Sequence, residues 1–171
     1  EYHCRYHISQ ISSKKTLTTI KKAKEEGKIF STAVSINNLS LNENDIGDFR
    51  TFLKLSPPLR TEQDRLSLVN AISEGLIEVV VSDHKPEDEE SKRLTFAQAA
   101  TGATGIETLL PLALELFHNG ALKLNKIIAS ITSNPAKILG IDKGSLQIDS
   151  DADLCVVDIN RPWVVNKSEL L

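Results

Sequence analysis

Methionine is absent from all 171 residues, position 1 included. That absence carries the expectation that further residues precede Glu1 in the natural protein, or that the chain has been trimmed. Cysteine is scarce: Cys4 and Cys155 are far apart and form no CxxC pair, a usage that fits reduced thiols and a cytoplasmic setting. Positive charge is not in excess. The net charge of -3 gives no electrostatic footprint for nucleic acid or an anionic membrane. No apolar run approaches the roughly 20 residues that span a bilayer, and the amino end does not read as a signal peptide. What remains is a globular balance, 40% hydrophobic and 25% charged, with room for one ordinary domain or part of a larger one.

Strand and helix signals alternate along the first half. Residues 6–11 have the content of a short strand. Ser12 or Ser13 can cap the helix that follows, in which Leu17, Ile20 and Ala23 recur at helical spacing before Gly27 ends the run. Residues 29–36 read as the next strand, and the polar stretch 37–48 as a long loop without periodicity. Pro57 and Pro58 require residues 54–60 to be extended. Thr61 with Asp64 resembles a capping box, opening a helix whose Leu66, Val69 and Ile72 share a face before Gly75. This βαβαβ rhythm predicts parallel pairing.

Residues 77–86 carry the most information. An isoleucine and three consecutive valines suit a strand covered on both faces, and it ends in Asp83 and His84 before Pro86. Ligands of parallel α/β folds collect at the carboxyl ends of strands, so this pair stands where chemistry is usually placed. Taken alone, Asp83 fits equally well as a cap on a backbone N–H. The charge-dense segment 85–93 reads as a solvated flap. Residues 108–117 should form a buried helix with Pro111 in its first turn, followed by helices at 124–131 and 135–139, the latter capped by Asn134. Beyond Gly140 the texture changes to short strand-like segments at 144–148, 152–158 and 163–165, the pattern of a small antiparallel sheet.

Three segments in order, Lys54-Leu55-Ser56-Pro57-Pro58-Leu59-Arg60, Ser82-Asp83-His84-Lys85-Pro86 and Gly102-Ala103-Thr104-Gly105-Ile106-Glu107-Thr108-Leu109-Leu110-Pro111, resemble the carboxy-terminal half of the dihydroorotase family of amidohydrolases. Thr132-Ser133-Asn134-Pro135-Ala136 and Asp151-Ala152-Asp153-Leu154 extend the likeness over essentially the whole chain. The resemblance implies an α/β fold. Residues 1–140 would be the last three strands and helices of a (β/α)8 barrel, and residues 141–171 the return strands of a β-sandwich. Three strands cannot close a barrel, so stability would need the remaining half, a partner or an oligomer.

The resemblance also implies chemistry: zinc, which lowers the pKa of bound water to near 7, and opening of the dihydroorotate ring to carbamoyl aspartate in pyrimidine biosynthesis. Asp83 matches the aspartate that contacts the metal-bound hydroxide and shuttles its proton. His84 matches a supporting residue, and Gly102 a position whose backbone faces the substrate. Four positions depart from the family pattern. Gln10 stands where the family has a histidine ligand, and an amide is a poor zinc ligand. His7 lies three residues earlier, on the other face of its strand. Ser56 replaces a substrate-binding asparagine, Glu87 a histidine that binds the substrate carboxylate, and Thr101 an aromatic residue.

Several functions stay open on these residues: a zinc cyclic amidohydrolase using Asp83, an impaired or non-catalytic pseudoenzyme that supports aspartate transcarbamoylase, an α/β domain with no retained function, or a related allantoinase or hydantoinase. His3 and His118 have no metal-ligand partners at suitable spacing. His118 near a helix end can favour the macrodipole.

Overall fold

The computed structural model describes residues 4–166; His3 lies outside them. Its sheet has three parallel strands in chain order, β1 (His7–Ile8), β2 (Ser31–Ser35) and β3 (Val79–Val81). His7 lies opposite Ser31, and Ala33, Val34 and Ser35 lie opposite Val79, Val80 and Val81. The Ile11 N–H donates to the Ala33 carbonyl at 2.9 Å, so pairing resumes beyond β1. Ala33, Val34, Val79 and Val80 are all buried, as expected of a strand pair covered on both faces.

The helix α1 (Lys14–Glu25) starts where the Ser13 hydroxyl accepts the Thr16 N–H, and it buries Leu17 and Ile20. Lys14, Lys15, Lys21 and Lys22 are exposed, whereas the half-buried Lys24 donates to the Leu76 carbonyl at 3.0 Å and pairs with Glu78. Next come α2 (Ile36–Ser40) and α3 (Glu62–Ser73), the latter capped by Thr61 on the Asp64 N–H. α3 packs on α1 and α2. The chain continues through α4 (Glu89–Lys92), α5 (Leu109–His118), α6 (Leu124–Ile131) and α7 (Ser133–Leu139). Ile11, Ile20, Val34, Leu39, Leu68, Ile72, Ile77, Val80, Leu116 and Ile127 belong to one continuous core between sheet and helices. Among the described residues, no helix is long and apolar enough to cross a membrane.

Five expectations need correction. The stretch 37–48 is not an irregular loop. It holds α2 and a 3-10 turn at Glu43–Ile46, where Asn42 and Asp45 cap each other reciprocally. Each piece is shorter than the window over which periodicity shows. On α3 the buried positions are Leu68, Val69, Ala71 and Ile72, whereas Leu66 is 49% exposed. Two neighbouring helices, not one, cover α3, so its apolar face is turned from the stripe that spacing suggested. The flap at 85–93 contains α4, capped by Asp88, and Lys92 points inward. The last helix begins at Ser133, so Asn134 is inside it. Its side-chain amide donates to the Glu78 carbonyl at 2.7 Å, tying α7 to the approach of β3.

The fifth concerns the tail. Residues 144–148, 152–158 and 163–165 form no strand ladder among the described residues. A strand is stabilised only by pairing; among the contacts this tail makes instead, Lys143 bridges Asp151 at 2.5 Å and Asp153 at 2.6 Å. Leu146, Ile148, Val156 and Val164 consequently stand exposed.

Candidate functional site

The parallel sheet puts the carboxyl ends of its strands at one end of the molecule, and the sequence motifs gather there. Gln10 follows β1 and Asp83 follows β3, 73 residues on. The Gln10 amide Nε2 donates to Asp83 Oδ1 at 2.5 Å, and both side chains are half-buried. Asp83 itself has φ of 52°, the left-handed region in which a short polar residue is better tolerated than a branched one. That geometry turns the chain sharply after Val81.

The turn is held from its other side by the loop at 102–105. His84 pairs with Ala103 in an isolated parallel bridge, and the Lys85 N–H donates to the Ala103 carbonyl at 2.8 Å. His84 Nδ1 accepts the N–H groups of Gly105 at 3.1 Å and Ile106 at 3.3 Å. An accepting Nδ1 requires the remaining ring proton on Nε2 in the neutral imidazole, so His84 organises the loop rather than offering Nδ1 as a ligand. The approach is too close for side chains. A Cβ at Gly105 would lie 2.3 Å from the Ser82 carbonyl oxygen, and one at Gly102, with φ of 147°, 2.4 Å from that of Lys85.

The Pro-Pro-Leu-Arg segment joins the same end. Arg60 Nε donates to the Ser12 hydroxyl at 2.8 Å, linking that segment to the one bearing Gln10. The Asn38 amide donates to the Pro58 carbonyl at 3.1 Å. Ser56 is exposed beside this contact, on a cis Ser56–Pro57 bond.

Gly102 is tied on both sides. Its N–H donates to the Lys54 carbonyl at 3.0 Å, and its carbonyl accepts Lys92 Nζ at 2.8 Å. Both of its backbone polar groups are therefore spent inside the protein. The Thr101 carbonyl accepts Lys85 Nζ at 2.8 Å, and the same ammonium pairs with Glu87 Oε1 at 3.2 Å. Glu87 is thus paired with a cation of its own segment, and the same ammonium ties that segment to the loop at Thr101. Phe52, Glu87, Lys92, Gly102, Ala103 and Thr104 surround a recess of about 530 Å3, which neither Gln10 nor Asp83 lines.

Sequence reasoning missed Lys92 and the buried Asn37 and Asn38 that follow β2. Asn37 Nδ2, Asn38 Oδ1 and Ser40 Oγ are buried without a hydrogen-bond partner among the described residues, a concentration of unspent polarity at the carboxyl end of β2. The only available signal was a run of polar residues directly after an apolar strand.

Zinc does not fit the donors in this chain alone. No group of three or more His, Cys, Asp or Glu converges among the described residues. At the position nearest Asp83, the Gln10 amide presents N–H, not oxygen, to the carboxylate, and a donor facing that way repels a cation. His7 is engaged elsewhere, its Nδ1 lying 2.7 Å from the Ser31 hydroxyl. His118, at the end of α5, donates Nε2–H to the Ile159 carbonyl at 2.8 Å.

Comparison with known proteins gives the arrangement its family. The chain is 40% identical over 164 residues to a dihydroorotase of Ehrlichia chaffeensis, covering 96% of this chain and 37% of that protein. It is 36% identical over 161 residues to a dihydroorotase of Aquifex aeolicus, covering 94% of this chain and 38% of that protein. It thus spans well under half the length of these curated relatives. Among solved structures, the L-hydantoinase (dihydropyrimidinase) of Arthrobacter aurescens superposes with a TM-score of 0.79 at 30% identity, over 87% of this chain and 34% of that one. A D-hydantoinase from Bacillus sp. AR9 gives a TM-score of 0.77 at 27% identity, over 86% of this chain and 34% of that one. The family description "Amidohydrolase family" matches residues 3–169. With parallel strands whose carboxyl ends gather Gln10, Arg60, Asp83 and Gly102, this chain belongs to the amidohydrolase family.

Proposed function

We propose that this chain is the carboxy-terminal part of a dihydroorotase-like amidohydrolase whose cyclic-amide chemistry is impaired at Asp83. The hydrogen bond from Gln10 to Asp83 carries this reading. To move a proton between an attacking oxygen and a leaving nitrogen, a carboxylate needs a free lone pair aimed at the reacting atoms. Gln10 holds one oxygen of Asp83 with an N–H donor, where a histidine ligand would offer a lone pair to a cation.

When bound, zinc would supply Lewis acidity and an acidified water in this family's chemistry; among the described residues Asp83 is the one suited to face it. Residues outside this chain would have to provide the other ligands, close the barrel and pair the tail at 141–171 into a sandwich. Glu87 adds a second obstacle. In place of a group that attracts a substrate carboxylate it presents a carboxylate, which Lys85 neutralises. The reading therefore predicts weak binding of dihydroorotate or carbamoyl aspartate as well as slow turnover.

A non-catalytic role beside aspartate transcarbamoylase is the alternative within the same reading, and it requires assembly but not Asp83. The likeness to hydantoinases supports the broader class of ring-opening amide hydrolysis. The test is ring opening of dihydroorotate and of hydantoin by the protein containing this chain, for the wild type, Asp83→Asn and the pair Gln10→His with Glu87→His. We expect little or no turnover in the wild type and a gain in the double variant. Wild-type turnover at ordinary enzymatic rates that Asp83→Asn abolishes would overturn the impairment. Co-purification with aspartate transcarbamoylase, unaffected by Asp83→Asn, would favour the scaffold role.

A further inference from the structure

Lys92 is 2% exposed in a segment otherwise dense with solvated charge. Three acceptors surround its ammonium: the carbonyl of Gly102 at 2.8 Å, that of Ala100 at 3.0 Å and that of Lys54 at 3.5 Å. An ammonium has three N–H donors and no acceptor, so these carbonyls leave it none for a substrate. Two further lysines treat the same loop alike. Lys54 Nζ donates to the carbonyls of Ala97 at 2.9 Å and Ala99 at 2.7 Å, and Lys85 Nζ to that of Thr101 at 2.8 Å.

The carbonyls of Ala97, Ala99, Ala100, Thr101 and Gly102 are thus all directed at ammonium groups. The contacts at Ala99, Ala100 and Gly102 are part-buried or buried, whereas those at Ala97 and Thr101 are exposed. An irregular loop has no ladder to satisfy its inward carbonyls, and buried unpaired carbonyls are costly. Of these five residues Gly102 lines the recess of about 530 Å3 beside Glu87, together with the following Ala103 and Thr104 and with Lys92 itself; the other four lead the chain into that wall.

We propose that Lys92, aided by Lys54 and Lys85, is a positioning residue that sets the shape of this wall for a small, acidic cyclic amide. The proposal rests on the dihydroorotase-like reading. Lys92 acts through the loop and touches no reacting atom. Burial pushes its ammonium below the ordinary lysine value; Glu87 opposes that shift, and Lys54 and Lys85 add to it. Exchanging it for an uncharged side chain removes the shared donor from three carbonyls at once.

The test uses the protein containing this chain, comparing the wild type with Lys92→Met and, should that variant fail to fold, Lys54→Met. Amide hydrogen exchange is read on peptides covering residues 97–105, with α1 and α3 as internal controls, and dihydroorotate affinity is read by calorimetry. Exchange over 97–105 should quicken by about tenfold or more, with the controls unchanged, and dihydroorotate should bind about tenfold more weakly. Unchanged exchange over 97–105 overturns the clamp. Quickened exchange with unchanged affinity overturns the positioning role and leaves a purely structural one. Wild-type binding of dihydroorotate is expected to be weak but measurable; its complete absence overturns the dihydroorotase-like reading instead, and the exchange data then still decide the clamp.

Discussion

Gln10 and Asp83 meet across the ends of β1 and β3 although β2 lies between those strands, with Gln10 Nε2 donating to Asp83 Oδ1 at 2.5 Å. Two side chains reach each other over an intervening strand only when both lean inward over the sheet end. That is the direction in which barrel enzymes aim their chemistry.

Replacing that amide should change what Asp83 can hold. In the protein containing this chain, Gln10→His removes the opposing N–H donor and supplies an imidazole, a far better zinc ligand. Zinc retained after dialysis should rise relative to the wild type, whereas Gln10→Ala should leave it unchanged. Elemental analysis measures this, and equal zinc in Gln10→His and wild type counts against Gln10 as the limiting residue.

The close approach at Gly105 predicts a large stability effect from a small substitution. A methyl group 2.3 Å from the Ser82 carbonyl oxygen must displace backbone on one side or the other. Gly105→Ala should cost about 1–3 kcal/mol, the range for forced overpacking. A shift in the urea midpoint at unchanged slope is the measurement. Wild-type stability would mean that the loop and the strand end separate freely.

Two leucines two positions apart on α3 should behave oppositely. Leu68 is 1% exposed and Leu66 is 49% exposed. Leu68→Ala should cost about 2–5 kcal/mol through lost burial and the cavity left behind, and Leu66→Ala about 0.5 kcal/mol or less. Chemical denaturation of both variants distinguishes them, and equal costs would refute the orientation of this helix.

Acid should weaken the start of α3. Hydrogen bonds from Arg65 and then Asn42, opposed by partial burial and reinforced by the Arg65 charge, hold the Glu62 carboxyl down from its ordinary 4.5 to about 2. Because the folded value is the lower one, the stabilisation is complete above about pH 4.5 and is lost as pH falls towards 2. Asp64 shifts in the same direction, first through the Thr61 hydroxyl and then the Lys14 N–H. The Glu62 side chain is 45% exposed, so solvent screening limits its share to about 1 kcal/mol or less. Glu62→Gln should flatten the acid limb of the stability profile across that window, and an unaltered limb would exclude the ion pair as its cause.

Much of this protein was determined by the sequence itself, wherever one segment's own residues settle the matter. Ser13 and Thr61 cap their helices because a hydroxyl reaches an N–H three residues on. Pro57 and Pro58 exclude helix by fixing their own φ and removing N–H donors. The valines before Asp83 form a strand, and the ordered motifs pointed to the amidohydrolase family. Tertiary structure alone decided the rest. Lys92 reads as one more solvated charge until a loop ten residues later turns its carbonyls inward. Leu66 and Leu68 exchange roles because α1 and α2 together choose the buried face of α3. Strand-like tail segments do not become strands without a pairing partner. Gln10 showed in the sequence as a departure from a histidine, but its hydrogen bond to Asp83 depends on strand order and on a left-handed turn at Asp83. Capping and chain stiffness act over a few residues, whereas burial and hydrogen-bond satisfaction depend on what the fold brings alongside.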